Sequence, residues 1–578
     1  MIVQCLPVTS LPDRRRRALR RAVRTPVAAS ATALAVAVAL AGPAAAAPLG
    51  GQPSGSGGSS SPAAATGSLW GDSELDQISL DPSRRQYDPT RDPSSLYSIT
   101  TAVGARGVWS QRDTRGAAIT GRGVTVAVLD SGVAPVQGLS GKLVQGPDLS
   151  LESNSSQALS KDTFGHGTHM ASIIGAADAV PTTAAGTPLS SDGKAQLGVA
   201  PGAQLLALKL ANTDGSTDVS QVIAGIDWVV EHRDDNGMNV RVINISYGTD
   251  SQQSYRSDPL AAAVERAWQR GIVVVASAGN DGPDSGGLND PAYDPYVIAV
   301  GSTSPDRSAL GQVLATTPLA PLAWKSSSTS EYTSRGTAER GADLAAPGRS
   351  VVGLLAEGST IDRDHPEGRV SGDPSGRLLR GSGTSQAAAV VSGAAALLLQ
   401  ADPTLTPDAV KAALTSTAQP VRGADRRDVG AGQLDVAKAV SVVQRAKAGS
   451  WPARAQISQR QSFPTSTALG SLESSRGTSH LADPETGQEL RGEVDVQGRT
   501  WDGAAWNRAA AEDATWVGGS YLGVVWTGDS WSSATAWKGV RWSGVRWSGV
   551  RWSDTSWDGV RWSGVRWSSS RYDGVRWS

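Results

Sequence analysis

The chain has 578 residues, with 53 lysines and arginines against 54 aspartates and glutamates and a formal net charge of −1. That length excludes a lone small domain and allows a large buried core, and the near-neutral balance excludes an overall charge field of the nucleic-acid-binding kind. The single cysteine, Cys5, excludes a disulfide framework.

Near the start, Arg14 to Arg17, Arg20, Arg21 and Arg24 form a basic run, followed by an apolar stretch from Val27 to Ala41 and the small residues Ala44 to Ala47. This order predicts a secretory signal over residues 1–46, cleaved after Ala46, and hence an extracellular destination. The apolar stretch is shorter than the roughly 18 to 20 residues a membrane span needs. Arg16-Arg17-Ala18-Leu19 faintly resembles a twin-arginine signal without its polar lead-in, so the export route stays open. Removal of the segment takes away seven arginines, one aspartate and Cys5, leaving a charge of −7 and no thiol.

Residues 47–95 are rich in Gly, Ser, Pro and Asp and predict a flexible lead-in. Over 96–446 the pattern changes. Val124–Leu129, Leu205–Leu210, Val242–Ile245, Val273–Ala276 and Val297–Val300 are short apolar runs of the kind buried parallel strands require. Between them, Val219–His232 and Leu260–Arg270 carry apolar residues at helical spacing, and Gly271 follows as a stop. This alternation predicts an α/β fold, a doubly wound and mostly parallel sheet with helices on both faces.

Four motifs in this region carry chemistry. Asp130 follows the first strand, at the carboxyl end where open α/β sheets place their sites. His166 lies between Gly165 and Gly167 ahead of an apolar helical run, and the neighbouring His169 reads as structural. Ser385, within Gly383-Thr384-Ser385, opens the apolar helix Ala387–Leu399, where backbone N–H groups favour developing negative charge. Each alone is as readily a turn residue or a helix cap. Together they supply a nucleophile, a base and a carboxylate to orient the base. Asn280, in Ser277-Ala278-Gly279-Asn280, adds an amide able to donate to an oxyanion.

In this order, and over roughly residues 96–446, the four motifs resemble the subtilase family of serine peptidases, of the secreted, actinobacterial type. The resemblance implies an endopeptidase acting through an acyl-enzyme on Ser385. It also implies that Ser246-Tyr247-Gly248 pairs with the substrate backbone and that Ser277-Ala278-Gly279 forms the other wall of the primary specificity pocket. The family usually continues Met-Ala-Thr-Pro after the serine, whereas this chain has Gln386, Ala387, Ala388 and Ala389, which predicts altered specificity and tolerance to peroxide. No cofactor is required; calcium is left open, because the loop Ala176–Leu197 shows no ligand pattern and Asp178 and Asp192 read as solvated. The roughly 50 residues between the cleavage point and the start of the peptidase region at 96 are too few for the separately folded prosegment of many relatives.

Residues 447–500 read as a polar connector. From Trp501 a five-residue grid runs through Trp506, Trp516, Trp526 and Trp531, with Ala511 and Tyr521 at the intervening positions, and restarts at Trp537 as Gly-Val-Arg-Trp-Ser. Thirteen of the 19 tryptophans lie there, so 501–578 reads as a repeat array and not as an extension of the α/β core. An odd period would put successive indoles on opposite faces of one strand. Three readings stay open: a β-solenoid, a flexible array stacking on a cell-wall polymer, and a tail with no partner. Eight basic residues against three aspartates over Trp537–Ser578 suit an anionic envelope polymer, and no nucleic acid is expected. The whole reads as a monomeric secreted peptidase; the alternative is an inactive protease-like scaffold that carries an envelope-binding tail.

Overall fold

The structure, a computed structural model, describes residues 80, 86–153, 160–178, 195–306, 320–482 and 488–526 and the backbone of 575–577. The signal segment, the Gly-rich part of the lead-in, Asp192 and the repeats over 527–574 lie outside these residues.

The strands form where the apolar runs lie. β1 (Thr125–Asp130), β2 (Leu143–Asp148), β3 (Gln204–Lys209), β4 (Val240–Ile245), β5 (Val273–Ser277), β6 (Ile298–Ser304), β7 (Ser328–Thr329) and β8 (Leu344–Pro347) make one sheet in the order β2-β3-β1-β4-β5-β6-β7, with β8 also on β6. Every pairing is parallel except β6 with β7. β1 and β5 are buried along their whole length, as a sheet covered on both faces demands. β2 escapes the sequence pattern because only its inner half is buried, so it lacks a continuous apolar run.

β1 pairs with β3 on one side and β4 on the other, so the strand order reverses at its carboxyl end, where Asp130 stands. Helix α1 (His166–Gly175) and helix α2 (Val219–His232) flank the sheet with α3 (Pro259–Gln269). Asp218 caps α2 through a capping box, and Asp258 caps α3 with Pro259 at its first position. Two further strands, β9 (Val351–Leu354) and β10 (Leu378–Gly383), pair antiparallel, and β10 runs directly into α4 (Thr384–Ala401). α4 is long and apolar enough to cross a membrane, yet all of it is buried inside the fold: it is the central core helix.

Three boundaries differ from the sequence reading. The end of the lead-in belongs to the fold: Asp92 lies 2.8 Å from Arg380 of β10, both side chains being buried, and the Trp324 indole donates to the Pro93 carbonyl. Residues 447–500 are no mere connector. After α5 (Val436–Lys447), α6 (Leu472–Arg476) carries Arg476, whose guanidinium is fully buried 2.6 Å from the equally buried Asp218. Arg476 also donates to the Gly492 and Val494 carbonyls.

Most consequentially, the start of the tryptophan grid is core. Trp506 on α7 (Gly503–Ala511) donates its indole N–H to Asp227 of α2 at 2.7 Å, and the Tyr521 hydroxyl donates to the same oxygen at 2.9 Å. The Trp516 indole donates to the Ala224 carbonyl, and Trp516, Tyr521 and Trp526 form one buried aromatic cluster. β11 (Trp516–Val517), β12 (Ser520–Tyr521) and β13 (Val524–Val525) are a small antiparallel meander in which Trp516 faces Tyr521 across the Gly518-Gly519 turn. Here a spacing of five is cross-strand register around a two-residue turn, a geometry that a single-strand reading misses. On α7 the same spacing turns Ala511 away from Trp506, and Ala511 is exposed. At the far end, β14 (Val575–Trp577) pairs in parallel with Gly381–Gly383 of β10.

Candidate active site

Asp130 ends β1 and His166 begins α1. The His166 Nδ1 lies 2.7 and 2.8 Å from the two carboxylate oxygens of Asp130, with both side chains buried. The Ser131 N–H also donates to Asp130 at 2.8 Å, so the carboxylate is held from two directions. The flanking glycines have a steric cause. A Cβ on Gly167 would lie 2.0 Å from the Gly132 carbonyl oxygen, and Gly165 takes φ of +109°, a left-handed conformation that suits glycine.

Sequence reasoning missed the residue that joins these pieces. Asp162, buried, accepts from the Ser131 hydroxyl (2.8 Å), the Gly165 N–H (2.6 Å) and the N–H and hydroxyl of Thr168 (2.7 and 2.5 Å). It thereby locks the loop after β1 to the first turn of α1. Burial pushes its pKa up, and these four hydrogen bonds oppose that shift. The only sequence signal is a lone Asp four residues before the histidine. His169, one turn along, has its pKa pushed down to about 3 by burial first and by His166 second, so it is neutral across the physiological range.

Ser385 lies in the first turn of α4, its hydroxyl 3.4 Å from the Ser246 carbonyl. A buried chain running from Ser392 through Asn244 to Ser246 ties α4 to the end of β4. Asn280 follows β5. Its side-chain oxygen accepts from the Thr384 N–H (2.9 Å) and hydroxyl (3.0 Å), which orients the amide with its NH₂ as the opposite, donating end. The Thr384 hydroxyl also receives the Gly279 N–H at 3.2 Å, so β5 and the start of α4 are joined beside Ser385.

The fold thus gathers Asp130, His166, Ser385, Asn280, Ser246-Tyr247-Gly248 and Ser277-Ala278-Gly279 at the carboxyl ends of β1, β4 and β5, all of them buried. Tyr247 has its phenol raised by burial first and then by Asp218. Gln386 is fully buried, and neither end of its amide has a hydrogen-bond partner among the described residues.

Of the candidate calcium loop Ala176–Leu197, residues 179–194 lie outside the described residues. Asp178, read as solvated, instead forms a two-pronged ion pair with Arg377, and among the described residues no group of three or more His, Cys, Asp or Glu side chains is placed to hold a metal.

The model of the subtilase family matches residues 121–435, which span β1 and all four motifs. The chain belongs to the subtilase family. This subtilase is 32% identical over 331 residues to the serine protease AprX of Bacillus subtilis (strain 168), a match covering 56% of this chain and 68% of that protein. It is also 32% identical over 301 residues to subtilisin DY of Bacillus licheniformis, covering 52% of this chain and 84% of the relative. Subtilisin Savinase of Lederbergia lenta is 31% identical over 304 residues, covering 52% and 85%. The subtilase is therefore a serine-type endopeptidase, and its substrates are proteins or peptides.

Proposed function

We propose that this subtilase is secreted and cleaves proteins through an acyl-enzyme on Ser385, with Asp130 and His166 as its base system and Asn280 as oxyanion donor. The observation that carries the reading is the buried contact of both Asp130 oxygens with His166 Nδ1, beside an Asn280 amide oriented by the residue that precedes Ser385.

In this scheme Asp130 keeps the Nδ1 proton in place, so Nε2 is the basic nitrogen and takes the proton of the Ser385 hydroxyl as Oγ attacks the carbonyl carbon. The same proton then goes to the leaving amine. The Asn280 NH₂ and the N-terminal end of α4 stabilise the oxyanion. Water repeats the sequence in reverse to release the acid product. Secretion rests on the basic, apolar and small-residue order of residues 14–47.

The test is hydrolysis of casein by the secreted protein and by Ser385→Ala in parallel, together with labelling of Ser385 by an organophosphonate. Loss of both signals in the variant alone supports the acyl-enzyme. A well-folded wild-type protein that neither cleaves nor labels would favour the scaffold alternative.

A further inference from the structure

The two expected walls of the primary pocket have a side chain between them that no motif predicted. A Cβ placed on Gly248 would lie 2.8 Å from Asn289 Cβ, and one placed on Gly279 would lie 2.4 Å from Asn289 Oδ1. Asn289 therefore reaches both walls at once. Its backbone is fixed by a hydrogen bond from its N–H to the Ala278 carbonyl at 3.1 Å and by its own carbonyl accepting from Tyr293. The residue is 6% exposed, and its carboxamide makes no hydrogen bond to any described residue. Neither carboxamide atom is among the enclosed polar atoms that lack a partner, so the amide borders open space beside Gly248 and Gly279, where a polar group of a ligand can pair with it.

Resting on the endopeptidase reading above, we propose that Asn289 forms the floor of the primary pocket and selects substrates with an uncharged hydrogen-bonding side chain, glutamine or asparagine, before the scissile bond. Two physical effects act in the same direction. The amide shortens the space between Gly248 and Gly279, which excludes a large aromatic ring. It also presents one donor and one acceptor that an amide satisfies and an aliphatic side chain of equal volume leaves buried and unpaired. Asparagine and leucine are close in size, so that pair separates polarity from volume.

The experiment uses the full secreted chain, its active sites counted by organophosphonate titration, on peptide anilides that differ only in the residue before the cleaved bond: Gln, Asn, Leu or Phe. The expected result is a kcat/KM for Gln and Asn at least about tenfold above those for Leu and Phe. In Asn289→Gly that ratio should swing toward Leu and Phe by at least about tenfold. Asn289→Ala, which keeps a Cβ and the backbone hydrogen bonds, should swing it in the same direction. A wild-type preference for Phe, Leu or a charged residue overturns the proposal, as does an unchanged ratio in both variants. Protein that titrates and cleaves casein but shows no such ratio counts against Asn289 alone, whereas protein that does neither removes the endopeptidase reading with it.

Discussion

Gln386 and His169 show how much a single buried polar group decides. The Gln386 amide is buried beside Ser385 without a partner among the described residues, a condition that costs about 1–3 kcal/mol. Gln386→Met is close to it in volume and removes the unpaired groups, so it should raise the melting temperature while making activity sensitive to mild peroxide. A variant that is less stable, or as peroxide-resistant as the wild type, would refute that account. His169 imposes a sign on the pH dependence. Its pKa falls from 6.5 unfolded to about 3 folded, so below pH 6.5 the unfolded chain binds the proton and the native state does not. The stability that comes from holding it neutral is complete above pH 6.5 and drains away as the pH falls toward 3. Melting curves of the wild type and of His169→Phe between pH 7 and pH 4 should diverge, with the wild type losing more. Parallel curves would mean that other groups carry the acid lability. At this scale the sequence was legible where chemistry demands a residue type in a motif, as at Asp130, His166, Ser385 and Asn280. It was silent at Asp162 and Asn289, whose meaning comes entirely from neighbours distant in the chain.

Among the elements, the strands could be read because burial on both faces forces continuous apolar runs, and the half-buried β2 was missed for the same reason. Helix α2 is the element whose surroundings the sequence hid. Its cap Asp218 pairs with Arg476, and its Asp227 accepts from Trp506, Tyr521 and Arg266. Glu231 accepts from Thr515 and from the Trp516 N–H. Arg476→Met would leave the Asp218 charge buried without its counterion and should destabilise the fold by about 3–5 kcal/mol, read from denaturant unfolding. A change below about 1 kcal/mol would show that α2 does not depend on this contact.

For the molecule as a whole, the segment that follows the family match acts as a brace. It supplies the countercharge at Asp218, two donors at Asp227, the hydrogen bonds to Glu231 and the backbone N–H of Ser466 to Glu265 on α3. Loss of the countercharge at Asp218 alone, at about 3–5 kcal/mol for a broken buried pair, approaches the ~5–15 kcal/mol that holds a typical domain together, and Asp227 loses two donors besides. A chain ending at Gly449 should therefore fail to accumulate as a folded peptidase, with no cooperative thermal transition, although it retains every residue of the family match. Recovery of that truncated chain with native activity and an unchanged melting temperature would refute the brace.

By itself the sequence determined the α/β class, the positions of five central strands, the four motifs and the family, because apolar runs and motif residue types are local signals set by burial and by chemistry. Only the tertiary structure decided that Asn289 lies against both Gly248 and Gly279, that Asp162 locks the histidine loop, and that the first tryptophans of the grid are core. These are contacts between segments tens to hundreds of residues apart, and a five-residue spacing does not say whether it closes a helix turn, a hairpin or neither until a partner surface is present.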